Sequence, residues 1–154
     1  MQAAPADVAS IDAIIAALYG AISFTPGALP EWERLRSLFH PRGWLVPPRG
    51  DEAPQLLVLD VETFIERSTT FITSTGIGEK GFHEREIARR LESFGNIAHA
   101  FSTYESRYAE DDPEPFSRGI NSIQLVNDSG RWWVLSILWD VERPEHPIPA
   151  DYLR

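Results

Sequence analysis

The sequence contains no cysteine and only one methionine among its 154 residues. A disulfide framework, a thiol nucleophile and a thiolate metal site are therefore excluded. Basic residues are also scarce, since 14 Lys and Arg stand against 23 Asp and Glu, which gives a formal net charge of -9. Nucleic acid and anionic membranes need a basic face that displaces counterions, so neither is an expected partner.

Long apolar runs are absent as well. No stretch approaches the roughly 18 consecutive apolar residues of a membrane-spanning helix. The start, MQAAPADVAS, has neither the basic nor the apolar region of a signal peptide, so we expect a cytoplasmic protein. With 43% hydrophobic residues and five tryptophans, the chain is suited to one compact domain over residues 1–154.

Apolar residues at helical spacing predict three helices in the first half of the chain. They cover Val8 to Ile22, the segment EWERLRSLF at 31–39, and a stretch that Asp60 caps and that continues through Phe71. The sequence GWLV at 43–46 is expected to form a brief strand.

From Gly81 onward the chain has the alternation of β-strands. The runs FHEREIARRLESF and IAHAFSTYESRY predict a hairpin closed by the two-residue loop Gly95-Asn96. A second hairpin, GINSIQLVNDSGRWWVLSILWDV, is expected to turn through the three residues Asp128-Ser129-Gly130.

Pairing the first hairpin about Gly95-Asn96 places Glu86 opposite Glu105 on one face of the sheet. Adjacent carboxyl groups repel each other unless arginines compensate or one of them keeps its proton, and a carboxyl group with a raised pKa suits acid/base chemistry. Glu86 and Glu105 are therefore the candidate catalytic residues. The alternative is a solvent-exposed ladder of ion pairs in which arginines neutralise both.

The second hairpin predicts a ligand-binding face, because its expected register mixes polar and apolar side chains on one surface. The candidate ligand-binding residues of this hairpin are Ser122, Gln124, Trp132, Ser136 and Asp140. Trp44 and Tyr104, which lie outside the hairpin, are further candidates as aromatic residues of the cavity wall. The ligand would be small and largely apolar. The alternative is that these are core positions whose polar groups are satisfied locally.

No cofactor and no metal are expected. Residues 76–81 match the dinucleotide pattern G-x-G-x-x-G, but a predicted helix precedes them and a strand follows, which reverses the required order. The four histidines, His40, His83, His99 and His146, are too dispersed to suggest a metal site.

The run from Trp132 to Trp139 is apolar on both faces, because side chains alternate along a strand. A single layer of helices covers only one face, so the other needs a second cover. We expect a homodimer through the sheet. The face that remains free carries either Trp133, Leu135, Ile137 and Trp139 with Ile123 and Leu125, or Trp132, Val134 and Leu138; the first set is the predicted interface. The alternative is that the tail from Pro144 to Arg154 folds back over this face.

Three helices followed by long antiparallel strands resemble, in order and length, the nuclear transport factor 2-like superfamily and its SnoaL-like branch. The resemblance lies in LRSLFHPRGWLV, in GFHEREIARRLESFGNIAHAFSTYESR and above all in RGINSIQLVNDSGRWWVLSILWD. It implies an α+β fold in which three N-terminal helices pack in the concave face of a curved, mainly antiparallel sheet. The resulting cone has one open end, and members commonly dimerise through the sheet.

The superfamily includes isomerases, dehydratases, cyclases and non-catalytic binding domains. Isomerase-like and cyclase-like members carry an aspartate just after the short strand, where this chain has Pro47 and Pro48, with Asp51 the nearest carboxylate. The tyrosine of the first helix in such isomerases also lacks a counterpart, since Tyr19 falls about one turn later. Both departures favour a non-catalytic role.

The sequence therefore favours a dimeric small-molecule binding or accessory protein. The alternative is a cofactor-independent isomerase, cyclase or dehydratase that uses general acid/base chemistry. A deep cavity with a carboxyl group or histidine of perturbed pKa at its base would support the enzyme, whereas a cavity plugged by Trp44, Trp132 or Phe side chains would support the accessory role.

Overall fold

The computed structural model describes residues 2–50 and 54–154. Its helices are α1 (Pro5–Val8), α2 (Ile11–Ile22), α3 (Trp32–Leu38), α4 (Val61–Ser74) and α5 (Ile77–Lys80), with a short 3-10 helix at Ala150–Tyr152. Its strands are β1 (Phe39–Val46), β2 (Leu59–Asp60), β3 (His83–Phe94), β4 (Ile97–Arg107), β5 (Ser117–Asp128) and β6 (Arg131–Val141). None of the helices in these ranges is long and apolar enough to cross a membrane.

The strands form one curved sheet in the order β2-β1-β6-β5-β4-β3. Only the β1–β6 pair among these neighbours is parallel, so the sheet is mainly antiparallel as predicted. Helices α2, α3 and α4 lie against one face of the sheet, which we call the inner face; the opposite face is the outer face. The core lies between these layers, where Ile14, Ile15 and Leu35 of the helices and Ile123 and Val134 of the sheet are fully buried.

Two helix starts are fixed by side-chain caps. The predicted first helix is divided at Ser10, whose hydroxyl accepts a hydrogen bond from the Ala13 backbone N–H at 3.0 Å and so begins α2. Asp60 caps α4 as predicted, since its carboxylate accepts a hydrogen bond from the Thr63 backbone N–H at 2.7 Å. The α4 helix then continues to Ser74, beyond the predicted end at Phe71.

The first hairpin has the predicted Gly95-Asn96 loop, and Phe94 faces Ile97. The predicted pairing of Glu86 with Glu105 is wrong, because a β-bulge between Glu86 and Ala88 shifts the register. Glu86 pairs with Tyr104 instead. One extra residue in β3 thus brings Glu86 to the inner face, while Glu105 stays on the outer face.

The second hairpin differs from its prediction in two places. Its loop has two residues, Ser129 and Gly130, both with positive φ (53° and 83°), because Asp128 pairs with Arg131. A second bulge follows, since Leu125 pairs with Val134 but Gln124 pairs with Ser136.

These two differences divide the predicted dimer interface between the faces. Trp133 and Leu135 lie on the outer face, where Trp133 stacks under the Arg131 guanidinium at 3.4 Å. The remaining members of the predicted set lie on the inner face, in the core or at its edge: Ile123, Leu125, Ile137 and Trp139. The interface predicted from simple alternation is therefore wrong.

The C-terminal tail folds back over part of the outer face. The Thr103 hydroxyl donates a hydrogen bond to the Tyr152 carbonyl at 2.6 Å, and the Tyr152 ring packs against Phe101 at 5.3 Å between centroids. The Arg90 guanidinium donates to the Asp151 carbonyl at 2.7 Å. The alternative cover predicted for the sheet is thus present over β3 and β4.

Candidate functional site

A cavity of about 630 Å³ lies between the inner face and helices α2, α3 and α4. Its walls are mostly apolar and come from every layer of the fold. They include Leu18, Phe24, Leu35, Phe39, Phe64 and Ile137. Pro47 and Pro48 also line it. A volume of this size is typical of small-molecule sites.

Only two charged side chains, Glu84 and Arg67, line the cavity in the described part of the chain. Glu84 is on β3, two residues before the bulge, and it lines the cavity. Burial raises the pKa of its carboxyl group to about 7, although hydrogen bonds from Ser106 and Asn121 act in the opposite direction. The Ser106 hydroxyl donates to Glu84 Oε2 at 3.1 Å.

Beside Glu84, a hydrogen-bonded group links α2 to the sheet. Tyr19 Oη lies 2.7 Å from Ser102 Oγ and accepts a hydrogen bond from Asn121 Nδ2 at 3.0 Å. The pKa of the Tyr19 hydroxyl is raised, above all by burial and to a smaller extent by the charges of Glu84 and Glu86. Tyr19 is therefore a neutral group whose hydroxyl is already engaged on both sides.

Tyr104 is the other hydroxyl in the wall, and it lies on β4 with 5% of its surface exposed. Its ring packs over Gly119 so closely that a Cβ atom there would lie 2.4 Å from Tyr104 Oη. Burial raises the pKa of this hydroxyl, and the nearby charge of Glu84 acts in the same direction. Among the described residues no hydrogen-bond partner of Tyr104 Oη is found, so this donor is open to a ligand.

The predicted ligand-binding residues lie on both faces of the sheet. On the inner face, Tyr104 lines the cavity, whereas Trp132 packs against the core and does not line the cavity. The others lie on the outer face, so their expected location in the cavity was wrong: Trp44, Ser122, Gln124, Ser136 and Asp140. For Ser136 and Asp140 the physical reason is the bulge at Leu135, which reverses the alternation of β6 between Val134 and Ile137. Ser122 and Gln124 alternate along β5 with Ile123, which enters the core, so they face outward.

Two of these outer residues line a separate, smaller groove beneath the tail. Ser122 and Asp140 are among its walls, and its volume is about 360 Å³. Asp140 forms an ion pair with Arg143 at 2.8 Å. This contact and a backbone hydrogen bond from Val141 lower the pKa of Asp140 against the opposing effect of burial, the largest single influence.

The predicted catalytic pair is not brought together. Glu105 forms ion pairs with Arg107 at 2.6 Å and with Arg85 at 3.3 Å, and the hydrogen bond from Arg107 is the main cause of its lowered pKa. Glu86 lies on the inner face but does not line the cavity; it is paired with Arg89 at 2.8 Å. For Glu105 the geometry is that of the alternative interpretation, an ion-pair ladder. Asp51 lies outside the described residues.

Sequence reasoning missed Glu84, Tyr19 and Asn121 as site residues. Glu84 was obscured because a bulge has no fixed sequence signature, although the adjacent apolar residues Ile87 and Ala88 do interrupt an otherwise charged strand. Tyr19 lies about one helical turn later in the chain than the tyrosine of isomerases, yet α2 places it in the cavity wall. Within the described ranges, no three histidine or acidic side chains converge to hold a metal ion.

No family model and no curated protein matches the chain. Solved structures do match it. An NTF-2 like protein of unknown function from Silicibacter pomeroyi superposes with a TM-score of 0.58 at 16% identity, over 87% of this chain and 94% of that one. An uncharacterised protein with a cystatin-like fold from Caulobacter vibrioides gives 0.59 at 16% identity, over 88% and 89%. The CaMKII hub of S. rosetta gives 0.56 at 14% identity, over 85% and 90%.

At these identities the similarity shows the fold alone. The chain has the cone-shaped α+β fold of nuclear transport factor 2-like and cystatin-like proteins, which confirms the fold predicted from the sequence. Several of these similar proteins have no assigned function, and a shared fold does not by itself specify an activity.

Proposed function

We propose that the protein binds a small, largely apolar molecule in the cavity and transfers a proton to or from it through Glu84. The proposal rests on the position of Glu84, which is the one carboxyl group that the described residues contribute to a mostly apolar cavity wall and whose pKa is raised to about 7. A group with such a pKa can give or take a proton near neutral pH. Proton transfer of this kind needs no cofactor.

Two polar groups would fix the orientation of the ligand. Glu84 supplies a carboxyl group, and Tyr104 supplies a hydroxyl donor that no described residue occupies. Both lie in apolar surroundings, where a hydrogen bond to a ligand is stronger than in water. The arrangement suits a ligand that carries a carbonyl or hydroxyl oxygen on an apolar body.

The open cavity supports the enzymatic alternative over the accessory role that the sequence favoured. Trp44 lies on the outer face and Trp132 packs in the core, so neither plugs the cavity. The absence of an aspartate at Pro47 and Pro48 no longer argues against an enzyme, because Glu84 offers a carboxyl group from a different strand.

The test uses cyclohexanone, a small apolar molecule whose carbonyl oxygen can accept hydrogen bonds. In carbon-13 NMR, the Glu84 carboxyl signal, assigned by its loss in Glu84→Gln, should titrate near 7 and shift upward in pKa when cyclohexanone binds, because the ketone favours the protonated acid. Loss of deuterium from cyclohexanone deuterated beside the carbonyl should be faster with the wild type than with Glu84→Gln.

Glu105→Gln is the matched control, since it removes an outer-face carboxylate and should leave both readouts unchanged. Titration of Glu84 near its ordinary value of 4.5 would contradict the proposal. So would equal deuterium loss in the wild type and Glu84→Gln.

We further propose that two copies associate through the part of the outer face that the tail leaves open. Three apolar side chains there, Trp44, Leu135 and Leu138, are each 39% or 40% exposed. A contiguous apolar surface of this kind is typical of an interface, and a two-fold contact is its common form. The similarity to a kinase hub is in keeping with self-association. The cytoplasm is the proposed location, on the composition argued above.

A further inference from the structure

A chain of hydrogen-bonding groups runs from the protein surface to Glu84, and the number of hydrogens on each group sets which one donates. The chain begins with Glu86 and Arg89 at the bulge of β3. Arg89 donates to both carboxylate oxygens of Glu86, at 2.8 Å and 3.0 Å, and a further nitrogen of the same guanidinium donates to Asp12 of α2 at 2.5 Å. Both oxygens of the Glu86 carboxylate thus accept hydrogen bonds from Arg89, and a carboxylate has no hydrogen to donate.

The direction of the next two bonds follows from the number of hydrogens available. Ser102 Oγ lies 2.5 Å from Glu86 Oε2, so the single hydroxyl hydrogen of Ser102 is donated to that carboxylate. Ser102 has no second hydrogen to offer, and therefore Tyr19 must be the donor in the 2.7 Å contact between their hydroxyl groups. The Tyr19 hydrogen is thus directed away from the cavity and toward Ser102.

The number of available hydrogens also determines the orientation of the Asn121 amide. Because Tyr19 has given its hydrogen to Ser102, its oxygen can only accept from Asn121, whose Nδ2 lies 3.0 Å away. Asn121 lines the same cavity as Glu84, and hydrogen bonding from its side chain lowers the pKa of the Glu84 carboxyl group. An amide nitrogen has two hydrogens, so Asn121 can donate to Tyr19 and to Glu84 together, and its oxygen then points away from Glu84.

We propose that the Glu86–Arg89 ion pair, acting through Ser102 and Tyr19, orients the Asn121 amide so that its nitrogen faces Glu84. Glu86, Ser102 and Tyr19 are positioning residues, because they act through one another and Glu86 does not line the cavity. Glu86, predicted from the sequence as one half of a catalytic pair, then acts at a distance on the group that meets the ligand. This inference rests on the proposed function of Glu84.

The orientation of Asn121 matters for the proton that Glu84 carries. A donor facing the carboxylate favours its charged form, whereas an amide oxygen in the same place favours the protonated form. The other titratable groups near Glu84 are Tyr19 on α2 and Tyr104 on β4, with Arg67 of α4 in the same cavity. Loss of the chain should therefore raise the pKa of Glu84 further.

The test is the carbon-13 NMR titration of Glu84 in the ligand-free protein. In Ser102→Ala and in Glu86→Gln, the pKa of Glu84 should rise by about half a unit, the effect of weakening one hydrogen bond to a carboxylate. Thr103→Val is the matched control: it removes a buried hydroxyl from the next residue of the same strand, but that hydroxyl bonds the tail on the outer face. The pKa of Glu84 should not move in this control.

The outcomes separate the two proposals. An elevated wild-type pKa that stays unchanged in both Ser102→Ala and Glu86→Gln overturns the chain and leaves the proposed function intact. A wild-type pKa near 4.5 instead contradicts the proposed function. Glu86 is partly exposed, with 22% of its side chain accessible, so Glu86→Gln provides the decisive variant if Ser102→Ala does not fold.

Discussion

The chemistry of the cavity depends on one residue, Glu84, whose burial costs stability whenever it is charged. In the unfolded chain its pKa is the ordinary 4.5, and in the folded protein it is about 7. Below 4.5 both states hold the proton and no penalty arises. Between the two values the folded state keeps a proton that the unfolded state has lost, so stability falls as the pH rises through this window.

We therefore expect the wild type to lose stability relative to Glu84→Gln between pH 4 and pH 8. The loss should be roughly 3 kcal/mol, since each unit of pKa shift corresponds to about 1.4 kcal/mol. Urea unfolding of both proteins at the two pH values measures it, with Glu84→Gln cancelling the contribution of other groups. If the difference in free energy of unfolding between the two proteins is the same at both pH values, the pKa of Glu84 is not raised by folding.

A second single residue, Gly119, makes room for the Tyr104 hydroxyl. A Cβ atom at position 119 would lie 2.4 Å from both Tyr104 Oη and the Asp140 carbonyl oxygen. Gly119→Ala should therefore lower the free energy of unfolding by about 1–3 kcal/mol, the usual cost of overpacking. It should also displace Tyr104 from the cavity wall.

Urea unfolding measures this change, and the matched control is Gly50→Ala. A Cβ atom at position 50 meets nothing within 4 Å, so the control should be close to neutral. If Gly119→Ala is as stable as Gly50→Ala, the close packing of Tyr104 over this glycine is contradicted.

At the scale of elements, the sequence predicted well whatever depends on local pattern. Helical spacing and the Asp60 cap identified α4, and the Gly95-Asn96 dipeptide identified the first hairpin loop. These signals lie within a few residues of the structure they specify. The fold class follows from the order of such elements.

The bulges in β3 and β6 could not be predicted in the same way. A bulge inserts one residue and reverses the faces of every residue beyond it, and the choice is decided by packing across the sheet rather than by local preference. In β3 it carries Glu86 to the inner face. In β6 it takes Ser136 out of the expected pocket and puts Ile137 into the core. The errors at Glu86, Ser136 and Asp140 trace to these two insertions.

At the scale of the whole molecule, the outer face carries more apolar surface than the tail covers. The tail protects β3 and β4 through Tyr152, but Leu135 and Leu138 remain about two-fifths exposed on the same face. Solvent contact with such a surface is unfavourable by about 25 cal/mol per Å² of apolar area. A second copy, placed across a two-fold axis, would remove this area from water without any change in the cavity on the inner face.

We expect sedimentation equilibrium at micromolar concentration to give about twice the 17.4 kDa chain mass for the wild type. Leu138→Glu should give the monomer mass, because a charge buried at the interface would lose its hydration without gaining a partner. The matched control is Leu29→Glu, which places the same charge on an exposed leucine in the loop before α3. It should remain dimeric. A wild-type monomer would refute the dimer, and a dimer that survives Leu138→Glu would place the interface on a different surface.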